Sequence, residues 1–259
     1  MRFATIEARA GGARGELVLN RPDKLNALDQ QALVELADAA RWFDRQPEVK
    51  VVVVSGNGSS FSAGADVSGF ATEAPPPEQV HARADAGRLM AEAIEAMDAV
   101  TVARIHGYCI GGAVVLAAAC DLRVAADSAV LSIPEVDLGI PLAWGGIPRL
   151  VREIGPAMTR ELVLTCRRFS ATEARELGLV NRVVPEQQLL DETDELVTQL
   201  LQKSALTLAA TKRAVRAASE QMLSTTSAWS DADTLMTALS DPESRRSAEA
   251  YLRRMGDRA

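Results

Sequence analysis

The sequence predicts an α/β fold with a helical module at its C-terminal end. Three observations carry this. Val51-Val52-Val53-Val54 is an unbroken β-branched run, the pattern of a strand buried on both faces. Short apolar runs alternate with helix-period patterns through the first two-thirds of the chain. Helix signals alone dominate from Thr172 onward. With 259 residues, 47% of them hydrophobic, the chain can bury one sizeable core.

In order, residues 3–8 and 16–19 read as paired strands joined at Gly11-Gly12. Asp29 is the N-cap of a helix reaching Phe43, because Leu33, Leu36, Ala37 and Ala40 share a 3.6-residue period. The valine run ends at Ser55-Gly56. Pro75-Pro76-Pro77 breaks the chain into a mobile loop before a helix over residues 78–97. Residues 101–105 and 122–125 are further short strands. Helices follow over residues 172–177 (ending at Gly178), 187–201 and 206–218, and Asp241-Pro242-Glu243 opens the last one with proline at its first position. The expected division is a core over residues 1–195 and a helical module over 196–259.

Composition excludes several functions. A net charge of −7 argues against a general nucleic-acid binder, which would carry a basic stripe. The two histidines, His81 and His106, lie far apart, and Cys109, Cys120 and Cys166 form no CxxC pair, so no metal site is expected. Sparse, odd-numbered cysteines suit a reducing cytoplasm. The longest nearly apolar run, residues 108–120, falls short of the ~20 residues that span a bilayer. The N-terminal residues lack the apolar stretch of a signal peptide. The expectation is a cytoplasmic protein with no membrane partner, working as an enzyme without histidine or metal.

Three segments interrupt good core patterns with glycine and turn chemistry: residues 59–67, residues 106–116, and Ile133-Pro-Glu-Val-Asp-Leu-Gly-Ile-Pro141 with Trp144-Gly145-Gly146 close behind. Gly111-Gly112 at a helix start leaves amides unpaired at the positive end of the helix dipole, a place for a developing oxyanion. Close helix–strand packing is the ordinary alternative. Gly64-Ala65-Asp66 reads equally as a second amide donor or as a loop in which Asp66 caps a turn. Glu135 follows Pro134 in an apolar stretch; in a pocket, desolvation would raise its pKa toward the range useful for proton transfer. At a solvated loop start it would do nothing of the kind. Asp137 would share its face only if the segment is extended. His106, His81, Asp121 and the cysteines read as structural or solvated.

Together with Asn20-Arg-Pro-Asp-Lys-Leu-Asn-Ala-Leu28, Ala119-Cys-Asp-Leu-Arg-Val-Ala125, residues 171–184 and Thr211-Lys-Arg-Ala-Val215, these segments resemble the enoyl-CoA hydratase/isomerase (crotonase) superfamily in order and spacing over nearly the whole chain. The resemblance implies a crotonase-like ββα spiral core and a C-terminal helical oligomerisation module forming a homotrimer or dimer of trimers. It implies an acyl-CoA thioester as substrate, with coenzyme A part of that substrate and no separate cofactor. Ala65 and Gly112 resemble the two oxyanion-hole amides that stabilise a thioester enolate, and Glu135 the general acid/base. Lys24, Leu25, Ala63, Asp66 and Val67, with Gly111, Pro134 and Trp144, resemble the substrate-binding surface. Tyr251 and Arg254 resemble positions that reach CoA, often across a subunit boundary.

Two departures shape the functional expectation. Hydratases of the family use two glutamates on one water, and the first of these positions is here Val115. A single carboxylate resembles instead the Δ3,Δ2-enoyl-CoA isomerases, in which one base removes a proton at C2 and returns it at C4. The proline at 141 comes one position early and Trp144 replaces a smaller residue, so the indole either reshapes the acyl pocket or packs in the core. Isomerisation is the leading expectation, with single-glutamate hydration next. Hydrolase, decarboxylase or carbon–carbon lyase chemistry on the same fold, or non-catalytic acyl-CoA binding, are the alternatives.

Overall fold

The computed structural model describes residues 3–67 and 76–256. The chain opens with an antiparallel hairpin, β1 (Ile6–Gly11) and β2 (Arg14–Leu19), the second strand of which pairs in parallel with β3 (Val51–Gly56). Between them runs α1 (Gln30–Asp44), capped as its sequence demands: Asp29 Oδ1 accepts from Ala32 N–H at 2.8 Å. The first strand lies a few residues later than the apolar run of residues 3–8. Residues 4 and 5 are instead held by the Glu35 carboxylate, which accepts from both their amides.

From β3 onward each turn of chain contributes to two sheets. Helix α2 (Pro77–Ala96) leads to β4 (Val100–Ile105), then β5 (Tyr108–Ile110) and α3 (Gly112–Ala119). The next turn repeats this with β6 (Leu122–Ala126), β7 (Val130–Ser132) and α4 (Gly146–Thr165). The larger sheet has the order β1-β2-β3-β4-β6-β9, where β9 is Arg182–Val184, and is parallel beyond the hairpin. Strands β5 and β7 pair in parallel in the smaller sheet, whose third member is β8 (Phe169–Ser170). This is a ββα spiral. Helix α5 (Ala171–Glu176) and β9 (Arg182–Val184) close it. The valine run of β3 is wholly buried. Of the expected break at Pro75-Pro76-Pro77, Pro75 lies outside the described residues; the helix behind it begins at Pro77, one residue before the expected start.

The rest is helical: α6 (Leu189–Leu201), α7 (Ala205–Met222), α8 (Asp231–Ser240) and α9 (Pro242–Gly256). Leu196 and Val197 of α6 join the main core, whereas Ala232 and Leu235 of α8 form a small cluster with Ile140, Met236 and Leu239. Helix α7 is fastened to the sheet by one buried cation. Lys212 Nζ donates to Ala99 O at 2.9 Å and meets Asp121 Oδ2 at 2.7 Å, and that same oxygen accepts from Thr101 N–H and Oγ1. Asp121 is thus a hydrogen-bonding position, as the sequence suggests. Replacing it leaves the ammonium buried without its counter-charge, so Asp121→Ala should lower the unfolding free energy by about 3 kcal/mol in urea titration.

Candidate active site

Two backbone segments in close contact build the site. Ser62 N–H donates to Tyr108 O at 2.9 Å and Ile110 N–H to Ser62 O at 3.2 Å, so residues 62–65 run beside β5 into the start of α3. The approach at Gly64 leaves no room for a side chain: with φ of +85°, a methyl there would lie 2.3 Å from Ile110 O and 3.4 Å from Gly112 N. On its other side the segment is tied to residues 25–28, with Ala63 N–H donating to Leu25 O, Leu28 N–H to Gly64 O and Asp66 N–H to Leu28 O.

Asn26 holds that arrangement together. It is buried, with φ of 56°; its amide donates to Asn57 O and Ser60 O while its carbonyl accepts from Arg21 N–H. Nothing in the local pattern marks it apart from the other polar residues of the 20–28 motif. The N–H groups of Ala65 and Gly112 both have no acceptor among the described residues, and both residues line one cavity.

Glu135 enters from the end of β7. Gly111 N–H donates to Ser132 O at 2.8 Å, which registers the β7 end against the α3 start. The chain then turns tightly, with Leu138 N–H on Pro134 O and Ile140 N–H on Glu135 O. Because this is a turn and not an extended segment, Asp137 does not share the Glu135 face; it is exposed and lies in a separate groove with Arg253 and Arg254. The Glu135 side chain fits over Gly111, where a methyl would come 2.5 Å from its Oε1. It is only 8% exposed, and Oε2 is buried without a hydrogen-bond partner among the described residues. Burial pushes this carboxyl from the usual 4.5 up to about 7, against a smaller opposing pull from its own backbone N–H.

The shared cavity has a volume of about 510 Å³. Of the residues expected at the site, Lys24, Ala65, Asp66, Gly112, Glu135 and Trp144 line it. Gly111 lies against the Glu135 carboxyl and Pro134 O accepts from Leu138 N–H in the turn that follows, and neither lines the cavity. Leu25 and Ala63 form the backbone scaffold, and Val67 follows the cavity segment without lining it. Tyr251 and Arg254 do not line the cavity: the Arg254 guanidinium lies 5.9 Å from the Tyr251 ring centroid, and Tyr251 is half-buried. Its phenol is pushed up by burial first, then by the Asp137 and Glu135 carboxylates.

Arg21 is a lining residue to which sequence reasoning gave no role. Its guanidinium pairs with Asp29 and Asp66, each at 3.0 Å, and Lys24 Nζ stands 3.9 Å from Asp66. One wall is therefore polar, from residues 21–31 and Asp66, and another apolar, from residues 140–144 and Leu235. Val115 is fully buried, and a methyl on Gly146 would lie 2.8 Å from its Cγ2, so no polar group replaces the missing carboxylate there.

The remaining candidates are structural. His106 Nε2 lies 3.0 Å from Gly58 O, and His81 sits 3.4 Å from Asp233. Cys109 and Cys120 are buried, and burial raises both thiols far above the reactive range. Among the described residues no group of histidine, cysteine and carboxylate side chains is placed to hold a metal ion, and no helix is long and apolar enough to cross a membrane.

The chain is similar to known proteins over nearly its whole length. Residues 13–256 match the family model described as enoyl-CoA hydratase/isomerase. The chain is 37% identical over 226 residues to a probable enoyl-CoA hydratase of Mycobacterium bovis, covering 86% of each chain. It is 38% identical over 206 residues to a carnitinyl-CoA dehydratase of Citrobacter koseri, covering 79% of this chain and 77% of that one. A crystal structure of an enoyl-CoA hydratase from Mycobacterium avium subsp. paratuberculosis superposes with a TM-score of 0.86 at 28% identity, over 96% of this chain and 99% of that one.

The raised Glu135 pKa carries a stability consequence. Its native state holds the proton more tightly than the unfolded chain, so the stabilisation is full below pH 4.5 and is lost as pH rises through about 7. Relative to Glu135→Gln, which lacks that titration, the native protein should lose about 3 kcal/mol of unfolding free energy across this window. Denaturant titrations of both proteins at acid and neutral pH measure the difference.

Proposed function

The chain belongs to the enoyl-CoA hydratase/isomerase family, and on that premise we propose that it shifts the double bond of an enoyl-CoA thioester, using Glu135 as its only proton shuttle. The supporting observation is the Glu135 carboxyl itself, buried, unpartnered at Oε2 and facing a cavity also lined by Ala65 and Gly112. In the proposed reaction the thioester carbonyl oxygen accepts hydrogen bonds from the Ala65 and Gly112 N–H groups. Ionised Glu135 removes a proton from C2 of a 3-enoyl thioester, and the electron pair delocalises over the dienolate onto that oxygen. Protonated Glu135 then returns the proton at C4, giving the 2-enoyl product. One carboxyl of pKa near neutrality can act in both directions.

Hydration is disfavoured because it needs a water held and activated between two polar groups, and Val115 offers only methyl groups. The names of the relatives, which are hydratases and a dehydratase, make hydration the reading to test against. Lyase or hydrolase chemistry through Asp137 finds no support, since that carboxylate lies outside the cavity; Trp144 does line it, but an indole supplies no acid or base. Lys24 at the polar wall, largely exposed and only loosely paired with Asp66, provides a local cation for the polyanionic CoA despite the net charge of −7.

The proposed assembly is a cytoplasmic homotrimer or dimer of trimers, built through the helical module of residues 196–259, with Tyr251 and Arg254, which do not line this chain's own cavity, reaching CoA across a subunit boundary. Helix α7 supports this: Leu206 and Met222 are 73% and 79% exposed, and Lys212 is the only buried residue of its length. Light scattering should give a mass that is three or six times the 27.6 kDa of one chain.

Mass-spectrometric turnover of a matched 2-enoyl-CoA and 3-enoyl-CoA pair, with the isomers resolved chromatographically, tests the reaction. Interconversion without mass change is expected, and a gain of one water as the main product would establish hydration instead. Glu135→Gln should leave the fold intact and lower turnover by about 10²–10⁴-fold. The native kcat/KM should rise with pH through a single midpoint at about 7, because the ionised carboxylate starts the reaction.

A further inference from the structure

Trp144 has a backbone conformation that bulky residues rarely adopt. Its φ is 62°, in the left-handed region, where such a side chain persists only when its surroundings hold it. Here they do. The Trp144 and Gly145 carbonyl oxygens accept from Arg149 Nη1 at 3.2 and 3.1 Å, and Gly145 N–H donates to Asp231 Oδ2 at 2.9 Å. Arg149 is itself buried and paired with Glu95 at 2.6 Å.

The indole then occupies a slot between two glycines. A methyl on Gly87 of α2 would lie 2.2 Å from its Nε1 and Cε2, and one on Gly112 would lie 2.2 Å from its Cζ3. Either side chain would expel the ring. One edge of the indole is thus fixed against the residue whose amide faces the cavity.

Position relative to the reacting carbons follows from the chain. Glu135 rests against Gly111 and the indole against Gly112, so carboxyl and ring flank the same helix start. A thioester whose carbonyl oxygen reaches the Gly112 N–H must pass its acyl chain along the indole within a few carbons. The neighbouring wall, through Leu142, Ile140 and Leu235, is apolar and offers that chain no polar partner.

We propose that Trp144 is the specificity-determining residue of the cavity, closing its acyl end and restricting the substrate to short-chain acyl thioesters. This rests on the acyl-CoA reading above and adds the substrate class to it.

Calorimetric binding of saturated butyryl-, hexanoyl-, octanoyl- and decanoyl-CoA, which needs no turnover, tests the proposal. The native protein should gain little affinity beyond hexanoyl-CoA. Trp144→Ala should increase the preference for decanoyl- over butyryl-CoA by at least about tenfold, the effect of two further buried methylenes. Trp144→Leu should shift the profile the same way by less, and carries the comparison if the alanine variant does not fold. A native affinity that climbs steadily through decanoyl-CoA overturns the proposal, as does an unchanged profile in a folded variant. If no thioester binds the native protein, the acyl-CoA reading falls and takes this proposal with it; binding with an unaltered profile overturns this proposal alone.

Discussion

The site depends on one constraint: the backbone at Gly64 and the backbone at Ile110 approach until only a hydrogen atom fits between them. That approach fixes residues 62–65 alongside β5, and it brings Ala65 and Gly112, whose N–H groups have no acceptor among the described residues, to the lining of one cavity. The bond from Gly111 to Ser132 extends the same alignment to β7, and so to Glu135. No side chain in this chain of contacts is chemically reactive until Glu135 itself. The reactive group is positioned by main-chain pairing, which tolerates little displacement because each step is a hydrogen bond between buried groups.

Glu135 is activated by what surrounds it and by what is missing. Its Oε2 has no donor, and the Gly111 contact excludes a side chain that could supply one. A carboxyl satisfied by two or three N–H groups would be strongly acidic and useless as a base near neutrality. The neighbouring polar wall shows the contrast: the Asp66 carboxylate, also in the cavity lining, is paired with Arg21 and Lys24. Two carboxyl groups of one cavity thus stand in different environments, one desolvated and the other ion-paired.

Elements whose pattern repeats within a few residues were legible in the sequence. The β3 valine run, the Asp29 cap with its helical stripe and the proline start of α9 all have local causes, and all stand where local physics puts them. Strands β5, β7, β8 and β9 span two or three residues each, shorter than the periodicity that would announce them. Helix α4 was hidden by Gly155-Pro156, where φ of 74° kinks an otherwise amphipathic stretch. The three glycine-rich segments were visible singly as turn chemistry. Their convergence was not, since it arises from pairings between residues distant in sequence, Ser62 with Tyr108 and Gly111 with Ser132, and only the family resemblance joined them. Asn26 and Arg21 escaped for the same reason: their partners, Ser60 and Asp66, are distant in sequence.

The apolar side of the cavity and the single carboxylate make one consistent chemical environment. Val115 packs toward Gly146, and the Trp144 indole packs toward Gly112, so the groups nearest the α3 start on that side are hydrocarbon and aromatic. A second carboxylate at position 115 would raise the Glu135 pKa further through like-charge repulsion and would call water into the site to solvate itself. Its absence leaves desolvation as the one large effect on Glu135, and the proposed reaction then relies on the two backbone amides to stabilise the thioester oxyanion. Proton transfer within the substrate needs no more than this. The proposed isomerisation requires no second polar group beside Glu135, and neither the buried Val115 nor the Trp144 indole supplies one.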